Sequence, residues 1–248
     1  MKRALRIAGL LLLVAPVASA AEPWKSKPYR QWDQKDIQKI LTDSPWVKRT
    51  VVNVSWGNGA AGAAEQGTEP RPAAPGYGGA QEAGPPGERT SGAGGGEGMG
   101  IRETVFIARW VSSRTMRRAL IRLQVLNRQL QEQQAEQFLQ QPVNALQVMV
   151  SGPDMTPFAG LDEATLLRSV WLELKTSHRR LSPTRVQLQR TPEGRLVDVL
   201  FDFPRQSDGQ PVLAPTEKQA ELVCKLPQTS LNFSFDPRRM DDADGSDW

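Results

Sequence analysis

Apolar residues recur at helical spacing in two parts of the chain. In the first part, apolar residues at positions 37, 40 and 41 predict a helix over residues 33–41. Asp33 is its predicted N-cap, and Asp36 lies where the second residue of a capping box belongs. In the second part, apolar residues every three or four positions predict one long helix over about residues 114–141, which ends before Pro142.

Elsewhere the apolar period shifts towards two, which is typical of half-buried strands. Residues 46–56 and 104–111 are predicted to pair as the two strands of a hairpin. The other predicted strands cover residues 145–150, 170–175, 184–190, 195–203, 221–226 and 230–235, with a short helix over 161–168. The pattern therefore predicts an α+β fold, in which one long helix packs on a mostly antiparallel sheet.

Three segments lack such a period. Residues 57–100 contain 15 Gly, 9 Ala and 5 Pro among 44 positions, so they bury too little apolar surface to offset the entropy lost on ordering. We predict that they form a disordered Gly/Ala/Pro-rich insertion within the hairpin. Residues 236–248 hold five aspartates and are predicted to be a disordered acidic tail. Residues 23–29 are predicted to be an extended arm ahead of the first helix.

The first 20 residues have the pattern of a secretory signal peptide. Basic residues near Met1 precede an apolar run over residues 7–17, and Ala18-Ser19-Ala20 fits a cleavage site. This run is shorter than the roughly 20 apolar residues that span a bilayer, and no later segment approaches that length. We expect cleavage after Ala20 and a periplasmic or secreted protein with no transmembrane segment. Residues 21–56 are expected to form an N-terminal arm, a helix and a strand, and residues 30–56 are expected to share one fold with the main α+β domain over 101–235.

Removal of the leader changes the charge balance. The full chain has 31 basic and 27 acidic residues, and loss of Lys2, Arg3 and Arg6 lowers its net charge from +4 to +1. Bulk charge therefore gives no support to a nucleic-acid partner. Cys224 is the only cysteine, so no intrachain disulfide can form. Strand alternation predicts that Cys224 is buried.

No motif for catalysis, cofactor binding or metal binding stands out. His178 is the only histidine, and it lies in a polar stretch typical of a solvated loop. The Gly run at 94–100 lacks the Lys-Ser/Thr of a phosphate loop. Asp198 and Asp202 share a strand face but stand roughly 13 Å apart, beyond the roughly 6.5–9.5 Å of an inverting glycosidase. The acidic tail misses the calcium-loop pattern because Met240 occupies the first ligand position. We therefore predict no catalytic, cofactor-binding or metal-binding residue.

Arginines of the long helix and two tryptophans of the arm are the candidates for partner binding. The arginines lie mostly off the apolar stripe, so they form either an ordinary solvated face or a basic patch for an anionic partner. The tryptophans either fill the core or anchor a protein partner. The predicted partner-binding residues are Trp24, Trp32, Arg114, Arg117, Arg118 and Arg122.

Several blocks of the chain resemble a family of uncharacterised exported bacterial proteins. They are W-x3-D-x2-KIL-x2-SPW from Trp32 to Trp46, the Gly-rich insertion, Arg109-Trp110 leading into the helix with Arg118-Ala119-Leu120, and the blocks LFDFPR (200–205) and FDPRRM (235–240). The resemblance covers most of the mature chain and implies an exported protein. That family has no known activity, so the resemblance transfers no functional residue.

The sequence favours a non-enzymatic interaction or structural protein of the cell envelope. Its partner is expected to be an envelope protein or an anionic envelope polymer. Two alternatives stay open. A carboxylate-dependent hydrolase of an envelope or extracellular polymer needs two acidic side chains that converge within about 10 Å in a cleft. A small-ligand-binding protein would use a cleft between helix and sheet.

Overall fold

The computed structural model describes residues 22–55 and 101–248. The predicted signal peptide and the predicted insertion lie outside the described residues. The helices are α1 (Pro23–Ser26), α2 (Gln34–Thr42), α3 (Arg114–Leu126), α4 (Glu132–Gln140), α5 (Thr156–Ala159) and α6 (Glu163–Ser169), with single 3-10 turns at Tyr29–Gln31 and Pro237–Arg239. The strands are β1 (Val47–Ser55), β2 (Ile101–Trp110), β3 (Ala145–Ser151), β4 (Val170–Leu174), β5 (Arg179–Leu181), β6 (Arg185–Arg190), β7 (Leu196–Pro204), β8 (Gln206–Ser207), β9 (Gln210–Pro211), β10 (Ala220–Lys225), β11 (Ser230–Phe235), β12 (Asp241–Asp242) and β13 (Gly245–Ser246).

Two antiparallel sheets form the body of the described chain. The larger sheet has the strand order β1-β2-β3-β7-β6, and the smaller has the order β11-β10-β4-β5. The prediction of an α+β fold with mostly antiparallel strands is confirmed. Val47 lies opposite Arg109 and Ser55 lies opposite Ile101, so the predicted hairpin of β1 and β2 is also confirmed.

Both sheets turn an apolar face into one hydrophobic core. Burial alternates along β3 and along β11, as the period of two predicts. The Trp110 ring of β2 meets the Phe235 ring of β11 edge to face, with 5.2 Å between the ring centroids. Cys224 of β10 is buried in this core, as predicted, and burial raises the pKa of its thiol.

Helix α2 begins with the capping box that the sequence indicates. The Asp33 carboxylate accepts a hydrogen bond from the Asp36 backbone N–H at 2.8 Å, and the Asp36 carboxylate accepts from the Asp33 N–H at 3.3 Å. Ile37 and Ile40 then point into the core.

Substitution Asp33→Ala removes this cap. We expect it to lower the free energy of unfolding by about 1 kcal/mol, because backbone donors of the first helical turn lose their acceptor. Urea denaturation measures the change. The control Lys35→Ala lies in the same exposed turn and should change the free energy by less than about 0.5 kcal/mol. Equal effects of the two substitutions would contradict a role for the cap.

The prediction of a single helix over residues 114–141 is wrong. Helix α3 ends at Leu126, Arg128 adopts a left-handed backbone with φ of 58°, and α4 begins at Glu132. The buried residues of α3 lie in its first two turns, whereas Leu126 is 40% exposed. Most of the stability of a helix in a protein comes from tertiary packing. Helix α3 therefore ends where its contact with the core ends.

The prediction of an extended N-terminal arm is also wrong. Residues 23–26 form α1, and the Trp24 and Trp32 side chains are 4% and 2% exposed. The Trp32 indole N–H donates to the carbonyl oxygens of Pro23 and Lys27, both at 3.1 Å, which folds the segment back on itself. These hydrogen bonds and apolar burial offset the entropy of ordering the segment.

The acidic C-terminal segment (236–248) is ordered, which corrects the prediction of a disordered tail. It contains a 3-10 turn and the β12–β13 pair, and the side chains of Asp242 and Asp247 are 1% and 2% exposed. Its carboxylates meet cations and backbone donors at the start of α3. The five aspartates alone predicted disorder, but cations and backbone donors that are distant in the chain bind their carboxylates and order the segment.

Candidate functional site

The N-terminus of α3 is held by two caps. Ser113 Oγ accepts from the Met116 N–H at 3.1 Å. Asp247 accepts from the Arg114 N–H at 2.5 Å and from the Thr115 N–H at 2.9 Å. Burial raises the pKa of Asp247, and the hydrogen bonds from Thr115 and Arg114 act in the opposite direction. The acidic C-terminal segment thus fixes the position of the helix that carries the candidate arginines.

Three of the four candidate arginines form ion pairs within the molecule. Arg114 contacts Asp242 at 2.8 Å, and Arg118 contacts the same carboxylate at 3.4 Å. Arg122 contacts Glu132 at 2.8 Å and donates to the Trp32 carbonyl at 3.3 Å. The structure therefore does not bring the helix arginines together as one open basic patch.

Arg117 differs from those three arginines. Its Nη2 donates to the carbonyl oxygens of Phe138 at 2.7 Å and Gln141 at 2.9 Å, which lie at the end of α4. A cation is favourable there because the carbonyl ends of a helix carry partial negative charge. Burial lowers the pKa of Arg117. The described residues offer it no ion pair.

Arg205, which follows β7, faces the same cavity. Its guanidinium donates to the main-chain oxygens of Ala145 at 3.3 Å and Trp248 at 2.9 Å. Burial is the largest effect that lowers the pKa of Arg205, Asp247 acts against it, and nearby Arg117 lowers it further. Sequence reasoning missed this residue, whose only signal is an arginine directly after the apolar run of a buried strand.

These side chains line a cavity of about 290 Å³, the arginine cavity. Its wall is formed by Ser112, Arg114, Arg117, Val143, Arg205, Ser246, Asp247 and Trp248. Three guanidiniums and one carboxylate therefore surround it. Guanidinium groups bind carboxylate, sulfate and phosphate through paired N–H donors, so the arrangement favours an anionic group.

The tryptophan candidates are not available at the surface. The Trp24 ring packs edge to face on Trp46, with 5.7 Å between centroids, and Trp32 is buried beside α3. Residues that bind partners as aromatic anchors need an accessible ring face. Their positions support the reading in which both rings fill the core.

Two carboxylates also converge on the smaller sheet. Glu173 and Glu221 are cross-strand neighbours, and both contact Lys175 Nζ at 2.9 Å. The contact with Lys175 is the largest effect that lowers the pKa of Glu173. A glycosidase acid needs the reverse, a carboxyl group that keeps its proton near neutral pH.

The other groups considered for chemistry lie in structural settings. Asp202 accepts from the Gln147 side-chain amide at 2.9 Å, and burial raises the pKa of Asp198. His178 occupies an exposed turn with φ of 53°. In the part of the chain that the structure describes, no three Asp, Glu, His or Cys side chains come together as a metal site.

Neither the hydropathy of the helices nor similarity to known proteins points to a function. Within residues 22–55 and 101–248, no helix has the length and apolar character needed to cross a bilayer. Comparison of the chain with protein-family models, curated proteins and solved structures finds no match.

Proposed function

We propose that this chain is a non-enzymatic exported protein of the bacterial cell envelope that binds an anionic group of an envelope polymer in the arginine cavity. One observation carries the proposal. Arg117 and Arg205 line the same cavity, and their side chains donate only to main-chain oxygens. In the described part of the chain, neither arginine forms an ion pair with an Asp or Glu side chain, although the Asp247 carboxylate lines the same cavity.

Two partly buried cations side by side raise the free energy of the folded protein. Burial disfavours a charged group, and a second cation nearby disfavours it further, which is the direction of the pKa shift of Arg205. A bound anion offsets both effects. Groups perturbed in this way are found more often at functional sites than elsewhere. The cavity therefore supports anion binding better than a purely structural role.

Export is the second part of the proposal and is supported by the leader over residues 1–20. The measurement is the N-terminal sequence of the protein recovered from cell fractions of a bacterial host. We expect the chain to begin at Ala21 and to lie in the periplasm or the medium. Intact Met1 on protein in the cytosol would contradict export and remove the envelope polymer as a partner.

Substitution Arg205→Gln tests the cavity. With polygalacturonate as the probe at low salt, we expect at least tenfold weaker binding, because a charge-assisted hydrogen bond contributes about 1.5–3 kcal/mol. Arg205→Lys keeps the charge but loses the paired donors, so an intermediate affinity is expected. Calorimetric titration measures the affinities, and thermal melting establishes that each variant is folded.

The matched control is Arg185→Gln, which removes an exposed arginine of β6. Its affinity should stay within about twofold of the original protein, because Arg185 does not line the arginine cavity. Neutral dextran should not bind. Equal losses for Arg205→Gln and Arg185→Gln would contradict the proposal, as would binding to anionic lipid vesicles in preference to the polymer.

The size of the cavity also favours a second candidate, a small-ligand-binding protein. A volume of about 290 Å³ lies at the lower end of the range for ligand pockets. Titration with galacturonate monomer separates the two functions. If the monomer binds as tightly as one site on the polymer, the protein is a small-ligand-binding protein. If the polymer binds more tightly per site than the monomer, the proposed function is favoured.

A further inference from the structure

A second polar pocket lies at the other end of the acidic C-terminal segment. It has a volume of about 370 Å³ and opens between α1, the end of α2, the start of β1 and the 3-10 turn at Pro237–Arg239. Its charged and aromatic wall residues are Trp24, Lys39, Asp43, Lys48, Asp236 and Arg239. No residue lines both this pocket and the arginine cavity.

The pocket wall holds three basic and three acidic side chains, but two of the cations lack an ion pair with any described residue. The Asp236 carboxylate is engaged by Arg238, which contacts both oxygens at 3.0 Å. Glu22, at the rim, is paired with Lys25 at 3.3 Å. In the described part of the chain, neither Lys48 nor Arg239 forms an ion pair with these or other carboxylates.

The surroundings of Lys48 disfavour its positive charge. Burial is the main effect that lowers the pKa of its ammonium group, nearby Arg239 lowers it further, and Asp236 acts in the opposite direction. Lys48 therefore carries a charge that the folded protein disfavours. An anion placed between Lys48 and Arg239 would relieve this, as it would in any site where like charges converge.

The aromatic wall adds a second observation. Trp24 is 4% exposed, and its ring is fixed by the edge contact with Trp46 and by Lys39, whose Nζ lies 6.0 Å from the ring centroid. The Trp24 indole N–H is buried and has no acceptor among the described residues. Buried donors without a partner are rare in native proteins, and this one belongs to a residue of the pocket wall.

We infer that this pocket binds one acidic sugar unit. The carboxylate or phosphate group of the sugar contacts Lys48 and Arg239, and its hydroxyl groups donate to Asp43. The volume fits a ligand of monosaccharide size. This site does not rest on the arginine cavity, because the two share no residue.

The test is an NMR titration of the full mature chain with three probes: glucuronate, glucose 6-phosphate and glucose. We expect saturable shifts of the Trp24 indole and of the backbone amides of residues 43–44 and 46–48 with one or both acidic sugars. Binding of glucuronate alone would identify a carboxylate ligand, and binding of glucose 6-phosphate alone a phosphate ligand. Glucose should bind at least tenfold more weakly. Equal binding of glucose, or equal binding of inorganic phosphate, would overturn the inference.

Substitution Lys48→Met separates this site from the arginine cavity. We expect at least tenfold weaker binding of the acidic sugar and a Tm at or above that of the unaltered protein, since methionine carries no buried charge. The control Lys35→Met removes an exposed lysine of α2 and should leave binding unchanged. Arg205→Gln should also leave these shifts unchanged. If a folded Lys48→Met variant bound the acidic sugar as tightly as the unaltered protein, the inference would be overturned. The proposal for the arginine cavity would not be affected.

Discussion

Substitution Trp46→Ala is expected to lower the free energy of unfolding by about 3–5 kcal/mol, the range for truncating a buried tryptophan. Trp46 is fully buried, and its ring packs edge to face on Trp24. Its indole N–H donates to the Asp247 carbonyl at 2.6 Å, and its own carbonyl accepts from the Trp110 N–H at 2.9 Å. The Trp46 side chain therefore joins the N-terminal segment to the acidic C-terminal segment, and its main chain pairs with the larger sheet.

Two companion variants separate packing from hydrogen bonding. Trp46→Phe keeps most of the apolar contact but loses the donor to Asp247, so a loss of about 1–2 kcal/mol is expected. Val51→Ala changes a residue that is 58% exposed and should cost less than about 0.5 kcal/mol. Urea denaturation followed by tryptophan fluorescence or circular dichroism measures all three. A loss below about 1 kcal/mol for Trp46→Ala would contradict its central place in the core.

The second large effect is expected from Asp247→Ala, with a loss of about 2–4 kcal/mol. The substitution removes the acceptor of two backbone N–H groups at the start of α3, and each buried donor left unpaired costs about 1–3 kcal/mol. Burial of the carboxylate opposes its ionisation, so part of the loss is regained. Asp247→Asn keeps one acceptor and should cost about half as much.

Amide hydrogen exchange gives a local measure of this effect. The N–H groups of Arg114 and Thr115 should exchange faster in Asp247→Ala, because the first turn of α3 frays when its cap is lost. The control is Asp244→Ala, whose carboxylate is 60% exposed and pairs with Arg118 at 3.3 Å, a surface ion pair that contributes less than about 1 kcal/mol. If Asp247→Ala behaved like Asp244→Ala, the acidic C-terminal segment would not be docked on α3.

Local patterns predicted the parts of the fold that depend on near neighbours. The capping box at Asp33 and Asp36 spans four residues, and the β6–β7 and β10–β11 pairs are hairpins joined by short turns. In these elements the hydrophobic period and the turn residues are enough to define the structure. The pairing of β1 with β2 across the insertion was also predicted, because the cost of closing a loop grows only slowly with its length.

The remaining features depend on contacts that composition does not encode. Asp242 and Arg114 are far apart in the chain, so five aspartates resemble a solvated tail until the fold brings the cation to them. The break after Leu126 follows from the loss of core contact, which the leucine spacing does not show. Arg205 reaches the arginine cavity from the end of β7, and no sequence period relates it to Arg117 on α3.

The most direct test of anion binding in the arginine cavity follows the arginine side chains themselves. In NMR spectra that resolve arginine Nε–Hε groups, inorganic phosphate is titrated into the mature protein at low salt. We predict that the Arg117 and Arg205 resonances shift together and saturate with one dissociation constant, while the exposed Arg185 does not. Equal, non-saturating shifts of all exposed and cavity arginines would contradict anion binding at this site.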